Sequence, residues 1–208
     1  MSPQRKKIIV VGISGATCSG KTTVAKELNK LLPNSKIFCQ DDYFFPVDDS
    51  RHTWIPELDH INFDIISSLD MEKMVLDVKQ HMKSKTNNTI TETPMPEYDK
   101  QRNLLQINDC HVVIVEGFCI FNYRPLAELC DLKYFFTLDF EECHRRREKR
   151  VYEPPDCPGY FDKCAWPEHL KQKEEVKREF NDVVYFDGNN SKQSEAIIRD
   201  ICSILCTT

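Results

Sequence analysis

The chain lacks a surplus of positive charge. Its 28 Lys and Arg face 33 Asp and Glu, for a net charge of −5. That balance excludes a general attraction to nucleic acid or to an anionic membrane. No apolar run approaches the length of a membrane span. Met1 to Lys7 is polar and basic, and does not read as a secretory leader. The ten cysteines form no C-x-x-C pair, and His111, His144 and His169 stand at no zinc-ligand spacing from them. Several cysteines fall inside expected strands or helices, as small buried side chains do. A reduced, cytoplasmic setting is the reading, with a zinc site as the sharper alternative to it and a disulfide framework set aside. No internal repeat occurs. What remains is 208 residues, enough for one α/β domain with a substantial core, spanning 1–208.

Within that chain, Gly15-Ala16-Thr17-Cys18-Ser19-Gly20-Lys21-Thr22 fits the pattern G-x-x-x-x-G-K-[ST] at every fixed position. The apolar, β-branched run Ile8–Ile13 precedes it and reads as a buried strand. Val24 to Leu32 follows, with apolar side chains at helical spacing. Gly15 and Gly20 permit backbone angles at which successive N–H groups converge on an anion. The helix that opens near Lys21 adds its positive end. Lys21 is placed to reach the outer phosphates and Thr22 to offer its hydroxyl to Mg²⁺, with Thr23 beside it. The plain alternative is a glycine turn between strand and helix, but both flanks agree with a nucleotide triphosphate site.

Four more strands are expected, over 36–40, 111–115, 133–139 and 183–187. Asp41 and Asp42 follow the first of these, and Glu116 ends the second. Ligands of open parallel sheets gather outside the C-terminal strand ends. These acids therefore suit proton abstraction from an acceptor hydroxyl, or a place near a cation. A solvated turn or a lysine-paired acid would be the ordinary alternatives. Tyr43 and Phe44 lie beside the first pair. Residues 47 to 60 read as a loop, leading to Phe63-Asp64. The helix opened by Ser67 to Asp70 carries Met71, Met74, Val75, Val78 and Met82 on its buried face. Residues 84 to 109 read as a variable loop, with Tyr98, Asp99 and Arg102 either lining a site or covering the fold.

A basic helix carries Arg145-Arg146-Arg147-Glu148-Lys149-Arg150. Side chains three or four apart share a face, so Arg146 and Arg150 point one way while Arg147 looks toward Val151. Such arginines neutralise a transferring phosphoryl group; a solvated face and a nucleic-acid patch are the other readings. Tyr152 to Asp162 is too proline-rich for a helix and looks like a lid, continuing to about 168. A charged helix to about Phe180 and a last helix over Ser191 to Leu205 complete the chain. The fold expected is a phosphate-loop NTPase-type α/β architecture of three layers: a five-stranded parallel sheet, helices on both faces, and the lid.

With those residues placed, the chain resembles the nicotinamide riboside kinases, within the uridine-kinase-like phosphate-loop kinases. The likeness runs from about Ile8 to Ile201. It rests on the phosphate loop, Gln40-Asp41-Asp42-Tyr43-Phe44, Glu116-Gly117-Phe118, Phe121 to Leu126, and Arg145-Arg146-Arg147 leading to Arg150-Val151-Tyr152. The segments Pro154-Pro155-Asp156, Pro158 to Asp162 and Trp166-Pro167 are the most specific part. The resemblance implies ATP-dependent phosphorylation of the 5′-hydroxyl of nicotinamide riboside, or of nicotinic acid riboside, for NAD synthesis. It implies Asp41 as general base near Mg²⁺, Thr22 as metal ligand, and Glu116 as support through water. Asp64 and Arg147 would grip the ribose hydroxyls, with Phe63 and Tyr152 around the pyridine ring and Phe44 lining the pocket. Asp42, Tyr43 and Glu153 join the riboside end. Arg146, Glu148, Arg150 and Val151 would lie along ATP, and Asn190-Ser191-Lys192 near adenine. A monomer acting on a small nucleoside, with no nucleic acid or membrane partner, is expected.

Four features depart from the family. Residues 84–105 match it poorly, and Glu148-Lys149 stands where smaller residues separate the arginines. Cys18 stands where Asn or Gly is more usual, and the stretch between Phe45 and Phe63 is expanded. The rivals are a uridine/cytidine kinase and, from another class, a nucleotide-dependent binding protein without metabolite turnover.

Overall fold

The computed structural model describes residues 7–86 and 110–206. Five strands build one parallel sheet: β1 (Lys7–Gly15), β2 (Ser35–Cys39), β3 (Cys110–Glu116), β4 (Leu132–Thr137) and β5 (Val183–Asp187). Their order in the sheet is β2-β3-β1-β4-β5, with every pairing parallel. The helices are α1 (Lys21–Leu31), α2 (Met71–Thr86), α3 (Arg124–Ala127), α4 (Phe140–Arg147), α5 (Trp166–Glu179) and α6 (Gln193–Cys206).

Alternation along the strands divides the core between two layers, because successive side chains leave opposite faces. Ile9, Val11 and Ile13 pack with Val24, Ala25 and Leu28 of α1 and with Ile197 and Ile201 of α6. Val10 goes the other way, to Met71, Met74, Val75 and Val78 of α2, Leu126 of α3 and Val176 of α5. All seven residues of β3 are buried, as a central parallel strand covered on both faces must be. A third cluster joins Cys143 of α4 to Tyr160, Phe161, Cys164 and Ala165. It roots the arginine helix and the segment after it in the body of the protein.

The expected lid is only partly irregular. From Phe161 to Ala165 the backbone winds as a π-helical turn that runs straight into α5. Pro167 has no N–H to donate, and the regular α-helical repeat begins only at Trp166. Residues 84–86, expected in a variable loop, belong to the last turn of α2. Tyr98, Asp99 and Arg102 lie outside the described residues. β2 ends at Cys39, and Gln40–Tyr43 forms a 3-10 turn.

The stretch read as a plain loop over 47–60 has built structure. Trp54-Ile55 and His60-Ile61 form a short antiparallel ladder. Arg51 pairs with Asp49 at 2.6 Å and lies over the Phe45 ring at 3.4 Å. His52 Nε2 faces the carbonyl oxygens of Pro46 at 2.9 Å and Phe45 at 3.3 Å. These are local bonds between polar side chains and nearby backbone, which leave no hydrophobic period to read. No described helix is long and apolar enough to cross a membrane.

Candidate active site

β1, β2 and β3 run parallel, so the loop after β1, Asp41 after β2 and Glu116 at the end of β3 reach one edge of the sheet. The loop after β1 has a conformation only certain residues allow. Gly15 sits at φ 125°, and a Cβ there would lie 2.1 Å from the Phe136 carbonyl oxygen. Gly20 precedes α1 at φ 94°. Cys18 is also left-handed, at φ 58°, the region in which Gly and Asn are at ease. Its backbone conformation therefore accounts for the residues more usual at that place.

Lys21 is 8% exposed, and its Nζ donates to the carbonyl oxygens of Gly15 at 2.9 Å and Ala16 at 2.6 Å. Burial holds its pKa below the ordinary lysine value, against the opposing charges of Glu116 and Asp41. Cys18, Ser19, Gly20, Lys21, Thr22 and Thr23 line a cavity of about 330 Å³ together with Arg146 and Arg150. Arg146 donates to the Cys18 carbonyl at 3.2 Å and to Asn189 Oδ1 at 2.8 Å, tying the loop to the turn after β5. Glu142 bonds both Arg145 and Arg146, which pulls its carboxyl down to about 2.

A second cavity, of about 410 Å³, begins at the same lysine. Lys21, Thr22, Asp41 and Glu116 line its floor. Glu116 is 2% exposed, and its Oε1 accepts from the Thr22 hydroxyl at 2.9 Å and from the Cys39 thiol at 3.1 Å. Burial, then the charges of Glu116 and Asp41, push the Cys39 thiol above its usual range. The separation of the strand ends is set nearby. A Cβ on Gly117 would lie 2.3 Å from Gln40 Cβ. Gln40 is itself fully buried, and its Oε1 accepts the Cys119 N–H at 3.1 Å.

Asp64 and Arg147 face each other at the far end of this cavity, 3.8 Å apart. Burial raises the Asp64 pKa above the ordinary carboxylate value, with Arg147 opposing it. Arg147 is 7% exposed and meets Asp156 with two bonds, of 2.7 and 3.1 Å. Burial works against its charge, but the Asp156 bonds and the Asp64 charge outweigh it and hold the guanidinium above its usual pKa. The Tyr152 ring lies 4.5 Å from that guanidinium, and its hydroxyl is 3.3 Å from Thr17 Oγ1. Phe44 and Phe63, edge to face at 5.9 Å, line the same cavity. Val151 and Glu153 line it too.

Several expected residues are elsewhere. Asp42 is exposed on the 3-10 turn and does not reach the cavity. Tyr43 turns into the core, where its hydroxyl donates to Asp77 at 3.1 Å. Arg147 points at Asp156 and Asp64, not toward Val151, which is 96% exposed. Glu148 lies 3.8 Å from His144 and lines a separate cavity behind the lid. Gly15 and Ala16 are buried under the loop. Asn190, Ser191 and Lys192 are exposed, outside both site cavities, and it is Arg146 that joins their turn to the loop.

Other lining residues were not singled out from the sequence: Phe45, Val47, Phe118, Asp156 and Tyr160. Phe118 directly follows the strand-end acid, and Asp156 and Tyr160 belong to the segment read as a lid. Their positions carried a signal, but one of cover rather than of contact.

Comparison with known proteins gives the family. A family model described as an AAA domain matches residues 11–167. Nicotinamide riboside kinase 1 of Homo sapiens is 36% identical over 206 residues, covering 96% of this chain and 97% of that protein. The protein of the same name from Rattus norvegicus is 40% identical over 187 residues, covering 90% and 89%. Among solved structures, thymidylate kinase from Candida albicans superposes with a TM-score of 0.52 at 15% identity, covering 97% of this chain and 92% of that one, a likeness of fold. The chain belongs to the nicotinamide riboside kinase family, on the α/β fold of the phosphate-loop kinases.

Proposed function

We propose that the protein transfers the terminal phosphoryl group of ATP to the ribose 5′-hydroxyl of nicotinamide riboside, and of nicotinic acid riboside, forming the mononucleotide for NAD synthesis. One observation carries the reading. Lys21 and Asp41 share a cavity with Asp64 and Arg147, walled by Phe44, Phe63 and Tyr152. A cation for the phosphates, a carboxylate for the hydroxyl, and a paired acid and base for the sugar thus open on one space.

The chemistry follows from those groups. Asp41 accepts the proton of the attacking hydroxyl. Lys21, Arg146 and Arg150 offset charge on the phosphates, and phosphoryl transfer asks mainly for such positioning. Asp64 accepts from ribose hydroxyls while Arg147 donates to them. The pyridine ring of the riboside is flat and cationic, which suits the aromatic faces of Phe63 and Tyr152. Thr22, Asp41 and Glu116 offer oxygen alone, the donor set a hard cation takes, and the buried Glu116 carboxylate already has one oxygen fixed by Thr22. Mg²⁺ held there would spread the charge of the transferring group.

The chain acts as one kinase domain, a cytoplasmic monomer; Cys18, Cys39, Cys119, Cys130, Cys143, Cys157 and Cys164 are free thiols, which supports a reducing compartment. The test is an activity screen of pyridine and pyrimidine nucleosides with ATP and Mg²⁺. Nicotinamide riboside should be phosphorylated far more efficiently than uridine. The reverse order would overturn the assignment.

A further inference from the structure

The expanded stretch before Phe63 meets the lid in two ways: Ile55 and Leu58 pack against the cluster that holds Tyr160 and Phe161, and His60 makes a polar contact. His60 sits on the second rung of the short ladder, half-buried. Its Nε2 lies 3.2 Å from the carbonyl oxygen of Pro155, ninety-five positions further along the chain. Its Nδ1 lies 2.8 Å from the Ile61 carbonyl oxygen. Its ring packs 4.9 Å from Tyr160 and 5.8 Å from Phe63. Tyr160 closes the triangle, because its hydroxyl accepts the Phe63 N–H at 2.8 Å.

Both polar partners of His60 are carbonyl oxygens, which only accept. A neutral ring has one N–H and can satisfy only one of them, so the bridge to Pro155 is made by the ring that carries a proton on Nε2. That donor does no chemistry in the mechanism above, and it lies outside the cleft lining. Its neighbours do line the cleft: Phe63 on one side, and Pro154, Asp156 and Tyr160 on the other. His60 thus connects the aromatic wall at the acceptor end with the segment that brings Tyr152 and Asp156 over it.

We propose that His60 is a positioning residue for the nucleoside: it couples Phe63 to the lid, so that the lid backbone and the aromatic wall hold the pyridine ring as one unit. The expanded loop then acts in acceptor selection. This rests on the acceptor-end reading of Phe63 and Asp64.

The experiment compares His60→Ala, His60→Gln and Asp64→Ala. It measures KM and kcat for nicotinamide riboside and, by calorimetry, the affinity for ATP. Gln keeps an N–H donor on a side chain of similar reach. His60→Ala should raise the riboside KM about threefold to tenfold, the size of one lost hydrogen bond with its packing, while ATP affinity and kcat hold. His60→Gln should recover most of that loss. An unchanged riboside KM in His60→Ala overturns the proposal. So does an equal loss of ATP affinity, which would mark general loosening, or a Gln variant as impaired as Ala, which would remove the bridge. If Asp64→Ala leaves the riboside KM untouched, the acceptor reading itself fails and this proposal falls with it; a weakened Asp64→Ala beside an unaffected His60→Ala rejects the His60 role alone.

Discussion

Arg147 holds Asp156 through two bonds, 2.7 Å from Nε and 3.1 Å from Nη2, while Asp64 lies 3.8 Å from the same Nη2. One buried guanidinium thus serves both the segment after α4 and the far end of the cleft. Arg147→Ala would remove both bonds of Asp156 and leave the buried Asp64 carboxylate with the Tyr160 hydroxyl and no cation. The expected cost is about 3–5 kcal/mol of stability, together with a large rise in riboside KM. Arg147→Lys should restore little, since an ammonium cannot make the fork. Thermal melts and riboside kinetics on the two variants check this.

Asp41 stands at the C-terminal edge of the sheet, on the cavity shared with Lys21. Asp41→Ala should lower kcat by two to four orders of magnitude, or about 10²–10⁴, with ATP still bound. Calorimetry with ATP and single-turnover kinetics separate the two effects. A variant with wild-type kcat would remove Asp41 from the reaction.

The left-handed turn of the phosphate loop gives a stability test. Cys18→Asn should raise stability by about 0.5–1 kcal/mol, because Asn visits that backbone region more readily. Gly15→Ala should yield little folded protein, since the added methyl would fall 2.1 Å from a backbone oxygen. Gly20→Ala should fold, since nothing lies within 4 Å of its Cβ, at the cost of a strained φ of 94°. Melting temperatures of the three variants rank them.

His169 supplies the pH dependence. It is 8% exposed and lies between the rings of Phe135 and Trp166, at 5.9 and 5.3 Å. Burial, with the charge of Lys21 next, pulls its pKa down to about 4. The folded value lies below the unfolded one of about 6.5. Its contribution is therefore complete above the unfolded value, and is lost as pH falls through the folded one. The loss should approach about 3 kcal/mol below both values. His169→Phe keeps a ring there and removes the proton. Denaturant unfolding of the two proteins from pH 7 to pH 4 should show the wild type losing stability faster. Parallel curves would contradict it.

The phosphate loop and its strand and helix were legible because three local signals coincide: an unbroken apolar run, fixed glycines, and a helical period. The central strands followed from the same apolar runs, since parallel strands covered on both faces carry no polar alternation; the two edge strands are part-exposed and were legible from their β-branched and aromatic residues. Glu116 and Asp41 were legible by position, at strand ends. Tyr43 was misleading because it adjoins Asp41 in sequence, yet the 3-10 turn rotates it inward to Asp77. The stretch around Arg51, His52 and His60 was illegible for a different reason. Its order comes from side chains bonding to carbonyls and to one ring, and such bonds have no period. Asp156 was hidden by its prolines, which announce irregular backbone and say nothing of a partner on α4.

The fit of Gln40 against Gly117 has a consequence for how this enzyme can change. The two acids that share the cavity with Lys21, Asp41 and Glu116, are each one residue from that contact. Their spacing is thus gauged from behind the cleft, by a buried glutamine and a missing side chain. The nucleoside end, built on loops, is free to diversify around new rings. The distance between Asp41 and Glu116 is not, because a single added methyl at position 117 would wedge the two strands apart.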